Sequence, residues 1–214
     1  MTFSIVARDP KTGVFGVATA TAGPMVGALV PHARARVGAV ATQAMTNPYL
    51  ALDALDALEH LPASAALDAA LARDKEADRR QVVLVDSRGE VAGWTGPACT
   101  AHAGHVLGAG VAVAGNMLAG PGVLPAMMAA FEAGAGHFAE RLQAALVAGA
   151  AAGGDSRGIG SAALKLQGGE AYADLDLRID FSADPLADLT HLLGQALSGS
   201  YAEFFAQVPR RRGG

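Results

Sequence analysis

Thr2 is the residue on which the chemistry of this sequence turns. It opens TFSIVARDPKTGVFGVATATAG behind a single methionine, and its side chain is small enough for that methionine to be clipped. A threonine hydroxyl is a weak nucleophile because its proton must leave as it attacks. Removal of Met1 would place a free α-amine on the same residue. Such amines titrate at about 7.7–8.0, close to working pH, which suits a general base. One residue would then supply both nucleophile and base. Strand-like residues follow at once and would hold the terminus still instead of letting it fray. The plain alternative is that Thr2 only opens an edge strand.

Four other stretches carry groups of the right kind. In GGDSRG (153–158) two glycines precede Asp155 and Arg157. A tight loop there could orient an amine or bind a substrate carboxylate, or be a surface turn with a local ion pair. Asn116 leaves an apolar run among glycines, where its amide suits an oxyanion hole or caps the next helix. Gln43 ends another apolar run as a donor or simple turn-former, and main-chain N–H groups near Thr42-Gln43 would help to hold an oxyanion. Cys99, His102 and His105 have a zinc-like spacing, but no fourth ligand motif accompanies them and no metal is assigned. Cys99 as a nucleophile would need a histidine that only the fold could bring near.

These residues must be positioned by the elements around them. TFSIVAR (2–8) and VFGVATAT (14–21) read as two strands joined by DPKTG, and counting outward from that turn returns Thr21 beside Thr2. A third strand is expected over 37–43, amphipathic helices over 49–61 and 63–74, and a hairpin from 81–86 and 91–95. One apolar strand follows over 105–115, then helices over 121–133 and 137–152, strands near 161–167 and 172–180, and a last helix from Asp184-Pro185 to about Val208. Hairpins alternating with helix pairs suit stacked antiparallel sheets covered by helices rather than a doubly wound parallel sheet. No GxGxxG or Walker-type glycine loop is present.

With 214 residues, 51% of them hydrophobic and only 5% aromatic, one domain with a core of Ala, Val and Leu is expected. It would cover 1–208, leaving 209–214 as a disordered basic tail. The net charge of −4 argues against nucleic-acid or anionic-membrane partners. A lone cysteine fits a reducing compartment, and no secretory signal is visible. Positions 91–131 contain no Asp, Glu, Lys or Arg, yet GNMLAGPGVLP within them would break a spanning helix. The expectation is a soluble, cytoplasmic protein.

MTFSIVARDPKTGVFGVA, VPHARARVGAVATQA, GNMLAGP, AGGDSRG followed by SAAL, and DLRIDFSADPLADL occur here in that order. Together they resemble the family catalogued as domain of unknown function 1028, within the superfamily of N-terminal-nucleophile hydrolases, from Thr2 to about Leu193. The resemblance implies an α+β fold, a four-layer αββα sandwich of two stacked antiparallel sheets, with Thr2 as a nucleophile towards an amide. The chain departs from the family pattern at Ala22-Gly23-Pro24, where a basic residue is common, and at His102, where tryptophan is.

The expected site therefore has Thr2, Asn116 and Asp155 as catalytic residues and Thr21, Thr42, Gln43, His105, Arg157 and Ser161 as substrate-binding ones. It needs no metal or cofactor. The expected substrate is a small amide, lactam or amidated acid, and Ala-rich helices and open sheet edges admit a homodimer. A non-catalytic small-molecule binder on the same fold is the rival.

Overall fold

The computed structural model describes residues 2–211. Strands β1 (Thr2–Arg8) and β2 (Phe15–Thr21) form the expected hairpin, with Phe3 opposite Ala20 and Arg8 opposite Phe15. Asp9 closes the turn, accepting from the Thr12 hydroxyl at 2.5 Å and, through its carbonyl, from the Gly13 N–H at 2.9 Å. Gly13 has φ +74, a conformation open to glycine at little cost. β1 is not an edge strand. It lies inside a six-stranded sheet of order β10-β9-β2-β1-β8-β7, whose other members are β7 (Gly104–Gly108), β8 (Val111–Asn116), β9 (Ser161–Gln167) and β10 (Leu175–Ile179). A second sheet has the order β3-β4-β5-β6, from Pro31–Arg34, Gly38–Ala44, Arg80–Asp86 and Val91–Thr95. All pairings are antiparallel.

Apolar side chains sort into three packing layers, and these make the expected four-layer αββα sandwich. Helices α1 (Pro48–Leu58) and α2 (Ala63–Leu71) bury Leu50, Leu55 and Leu67 with Val40, Val82 and Leu84 of the smaller sheet. Helices α3 (Val123–Ala133), α4 (Phe138–Ala151) and α5 (Pro185–Leu197) bury Met127, Leu142 and Leu189 with Phe3, Ile5 and Val113 of the larger one. Between the sheets lie Val6, Val17, Ala39, Val83 and Ala112. These small residues let the sheets approach closely, which explains how a core so poor in aromatics can be filled.

Three expectations change. The run 105–115 is two strands, β7 and β8, because the chain turns at Ala109-Gly110, with Gly110 at φ +70. The last helix is also two, since Ser198 is extended and α6 (Gly199–Ala206) starts on Gly199 with φ +63. Strand β3 was not anticipated. Its four residues mix Pro31, His32 and Arg34, and pairing with β4, not local pattern, makes it a strand.

Of the basic tail, 212–214 lie outside the described residues. Before them, Arg210 pairs with Asp174 at 3.4 Å, the Arg211 N–H reaches Glu170 at 3.2 Å, and Tyr172 donates its hydroxyl to the Pro209 carbonyl at 2.9 Å. Among the described residues no helix is long and apolar enough to cross a membrane.

Candidate active site

Strand periodicity decides where Thr2 points. Phe3, Ile5 and Ala7 belong to the layer under α3 and α4, whereas Val6 belongs to the layer between the sheets. Thr2 and Ser4 share the face of Val6, so both hydroxyls enter the space between the sheets. Thr2 is 6% exposed. Its hydroxyl lies 3.3 Å from that of Thr21, which the hairpin register brings back beside it as expected. Across the other edge Thr2 stands opposite Asn116 of β8.

A buried network of amides and hydroxyls holds this end of the sandwich. The Thr2 carbonyl accepts from Gln43 Nε2 at 3.2 Å and from Asn116 Nδ2 at 3.5 Å. Gln81 Oε1 accepts from the same two amides, at 2.7 Å and 3.1 Å. The Gln81 Nε2 donates to the Thr95 hydroxyl and to the Gly104 and Gly115 carbonyls, each at 2.9 Å. Gln43 Oε1 can only accept, so the Ser4 hydroxyl donates to it at 2.5 Å and accepts from the Thr19 hydroxyl, 2.8 Å away. Gln43, Gln81, Ser4 and Thr19 are fully buried, which such groups tolerate only when paired.

This arrangement reassigns two expected donors. Both amide hydrogens of Asn116, and both of Gln43, are committed to Thr2 and Gln81, so these side chains clamp the Thr2 main chain and do not face an oxyanion. Asn116 is not a helix cap either, since Gly122 precedes α3. Thr42 is one residue from Gln43 and therefore on the other face of β4. Its hydroxyl donates to the Asn47 carbonyl at 3.1 Å and its N–H to Val30, so it is turned away from Thr2.

The 153–158 loop acts as an anchor. Gly153, Gly154 and Gly158 have φ of 114°, 50° and 97°, and a Cβ at Gly153 would stand 2.7 Å from that of Ala119. Within the turn, Asp155 accepts from the Ala22 N–H at 2.9 Å and the Arg157 N–H at 2.8 Å, with the Arg157 guanidinium at 3.4 Å. The Asp155 side chain is fully buried while that of Arg157 is half exposed. Asp155 thus ties the residue after Thr21 to this loop. Ser161, paired with Thr21 across β2 and β9, does the same one step on, donating to the Gly23 carbonyl at 2.6 Å and accepting from the Val26 N–H at 3.2 Å.

His105 sits at the margin of the network, its Nδ1 2.9 Å from the Thr95 hydroxyl, and burial lowers its pKa. Cys99 lies with Sγ 3.4 Å from the Arg80 carbonyl, and burial raises its pKa. Among the described residues no group of three or more His, Cys, Asp or Glu is placed to hold a metal ion. Met25, Ala44 and Met117, three of the four non-glycine residues with positive φ among the described residues, lie just past β2, at the end of β4 and just past β8. Such conformations cost about 1–2 kcal/mol each, and strain of this kind collects at functional sites. A cavity of about 730 Å³ lined by Phe138, Leu175, Ala196 and Phe205 is at the far end of the larger sheet.

Comparison with known proteins bears on the family and the fold. The model of a family described as "Family of unknown function (DUF1028)" matches residues 2–189. The crystal structure of protein SPO2555 from Silicibacter pomeroyi, a DUF1028 protein, is similar with a TM-score of 0.92 and 34% identity, over 97% of this chain and 91% of that one. Anbu, an ancestral beta-subunit from Yersinia bercovieri, aligns with a TM-score of 0.46 and 11% identity, over 98% of this chain and 99% of that one. No curated protein matches the chain.

Proposed function

The chain belongs to the DUF1028 family of unknown function, and from that premise we propose that it is an N-terminal-nucleophile hydrolase cleaving a small amide, lactam or amidated acid. The observation that carries this reading is the placement of Thr2. It is the first residue of an interior strand, its hydroxyl faces the space between the sheets, and two buried amides hold its carbonyl. A residue that merely opened a strand would not need its main chain fixed from both the facing sheet and the adjacent strand.

Met1, whose removal the reaction requires, lies outside the described residues. Once it is gone, the α-amine of Thr2 takes the hydroxyl proton as Oγ1 bonds to the substrate carbonyl carbon. The proton passes to the leaving nitrogen as the C–N bond breaks, leaving an ester on Thr2. Water, deprotonated by the same amine, cleaves that ester and releases the carboxylic acid. With the Asn116 and Gln43 amides engaged, the oxyanion falls to main-chain donors of the loop after β2. There Ala22, Met25 and Val26 are already bonded, Pro24 has no N–H, and the Gly23 N–H has no partner among the described residues. The half-exposed Arg157 guanidinium is the group to receive a substrate carboxylate. We place the protein in the cytoplasm, where a lone Cys99 stays reduced.

Intact mass of protein from its own host, followed by a screen of small amides with detection of an acyl adduct on the N-terminal peptide, tests this. The expected result is a chain beginning at Thr2 that forms the adduct. Thr2→Ala should lower turnover at least about a thousandfold while leaving ligand binding in place. Retention of Met1, or full turnover by Thr2→Ala, would leave only a binding protein on this fold.

A further inference from the structure

At the end of the sandwich opposite Thr2, a second concentration of charge has no part in that chemistry. A cavity of about 510 Å³ is lined by Arg8, Arg36 and Arg210, with Ser87 and Asp174. That volume lies in the range of small-molecule sites, roughly 300–1,000 Å³. The arginines come from three separate places: the last residue of β1, the β3–β4 turn and the C-terminal segment. Arg8 and Thr2 terminate the same strand, about 20 Å apart at roughly 3.3 Å per residue.

Most arginines of this chain are bound to carboxylates or carbonyls, as Arg34 is to Asp56 and Glu59, Arg80 to Asp74 and Arg141 to the Phe131 carbonyl. Arg210 is tied to Asp174 at 3.4 Å. Among the described residues the Arg8 and Arg36 guanidiniums make no ion pair or hydrogen bond, although the chain carries a net charge of −4 and has acids to spare. Glycines floor the space beneath them. A Cβ at Gly13 would lie 3.5 Å from an Arg8 terminal nitrogen, and one at Gly169 would lie 4.0 Å from the Arg36 guanidinium. Arg36 also holds φ +63, the one non-glycine positive φ remote from the Thr2 end among the described residues. Glycine would adopt that turn without strain.

We propose that this cavity binds a small organic phosphate, with Arg8 and Arg36 as its phosphate ligands. Two guanidinium forks offer paired N–H donors to tetrahedral anionic oxygens, and the Ser87 hydroxyl adds a further donor. Asp174 neutralises Arg210, so the cavity keeps two uncompensated positive charges, the number a phosphate monoester carries as negative ones.

Calorimetric titration of the full chain with glycerol 3-phosphate at low ionic strength, with inorganic phosphate and citrate in parallel, tests the proposal. The ester should bind saturably, and Arg8→Gln and Arg36→Gln should each weaken it about tenfold or more. Inorganic phosphate should bind with the same dependence on both arginines. Arg36→Gly separates a binding role from a structural one: it should raise Tm by about 2 °C while weakening the ester as much as Arg36→Gln does. No saturable binding up to about 10 mM ester, affinity unchanged in both Gln variants, or tighter binding of citrate would overturn it.

Discussion

Between the sheets, Val6, Phe15, Val17, Ala39, Val85 and Ala112 fill one end of the layer and Ser4, Thr19, Gln43, Gln81, Asn116 and Ser161 the other. None of the twelve is more than 2% exposed. The same strands run through both ends, so burial and backbone are alike and only the means of cohesion differs. The apolar end is held by close packing, which is non-directional and tolerates small shifts. The polar end is held by hydrogen bonds that fix angle as well as distance, and strained residues crowd around it. A fully paired polar cluster adds little net stability over apolar filling, but it fixes one arrangement. That arrangement includes the Thr2 carbonyl, and geometry at Thr2 is what the polar end provides.

If this contrast is right, Gln81→Leu should have the largest effect on stability. Gln81 bonds to Gln43, Asn116, Thr95 and two main-chain carbonyls. Leucine of similar bulk strands all of them at once, and stability should fall by about 3–5 kcal/mol in urea unfolding. A loss under about 1 kcal/mol would mean the network is replaceable and the contrast false. At the apolar end Val17→Ala removes two methyl groups from a fully buried site and should cost about 2–3 kcal/mol. It should leave turnover at Thr2 within about twofold, because packing there sets no donor angle.

The sequence carried the sheet order of the first hairpin and the pairing of Thr2 with Thr21, because DPKTG sets the register locally. It carried the anchoring role of neither Asp155 nor Ser161, whose partners, Ala22 and Gly23, are more than 130 residues away. Gln81 and Ser4 were missed for a related reason. At the start of QVVLVD a glutamine looks like a solvated strand boundary, and a serine among TFSIVAR looks like the polar side of an alternating strand. In a four-layer sandwich both faces are buried, so the polar side of the alternation is also inside.

Strain gives a subtler way to tell the ends apart. Ala44→Gly relieves a residue held at φ +72 and should stabilise the protein by about 0.5–1 kcal/mol, after the entropy that glycine adds to the unfolded chain. The same change at Ala39, inside the same strand without positive φ, should destabilise by about 1 kcal/mol. Opposite signs five residues apart, read from paired Tm shifts, are expected only if the strain within β4 sits at its polar end.

The smallest effect concerns acid. None of the six residues named at the apolar end titrates, whereas the polar end has His105 at its margin. The Thr95 hydroxyl, which accepts from Gln81, lies 2.9 Å from His105 Nδ1. Burial opposes a second proton on the ring and keeps the folded pKa below the ordinary 6.5. The unfolded chain therefore takes up this proton first. Stability is complete above about pH 6.5 and declines as pH falls from there towards the lower folded value. His32, also lowered by burial, adds a decline of the same sign from outside the network. Comparing urea midpoints of wild type and His105→Gln between neutral and mildly acid pH separates the two. The variant should keep the His32 part and lose the rest. An identical slope in both proteins would detach His105 from the network that holds Thr2.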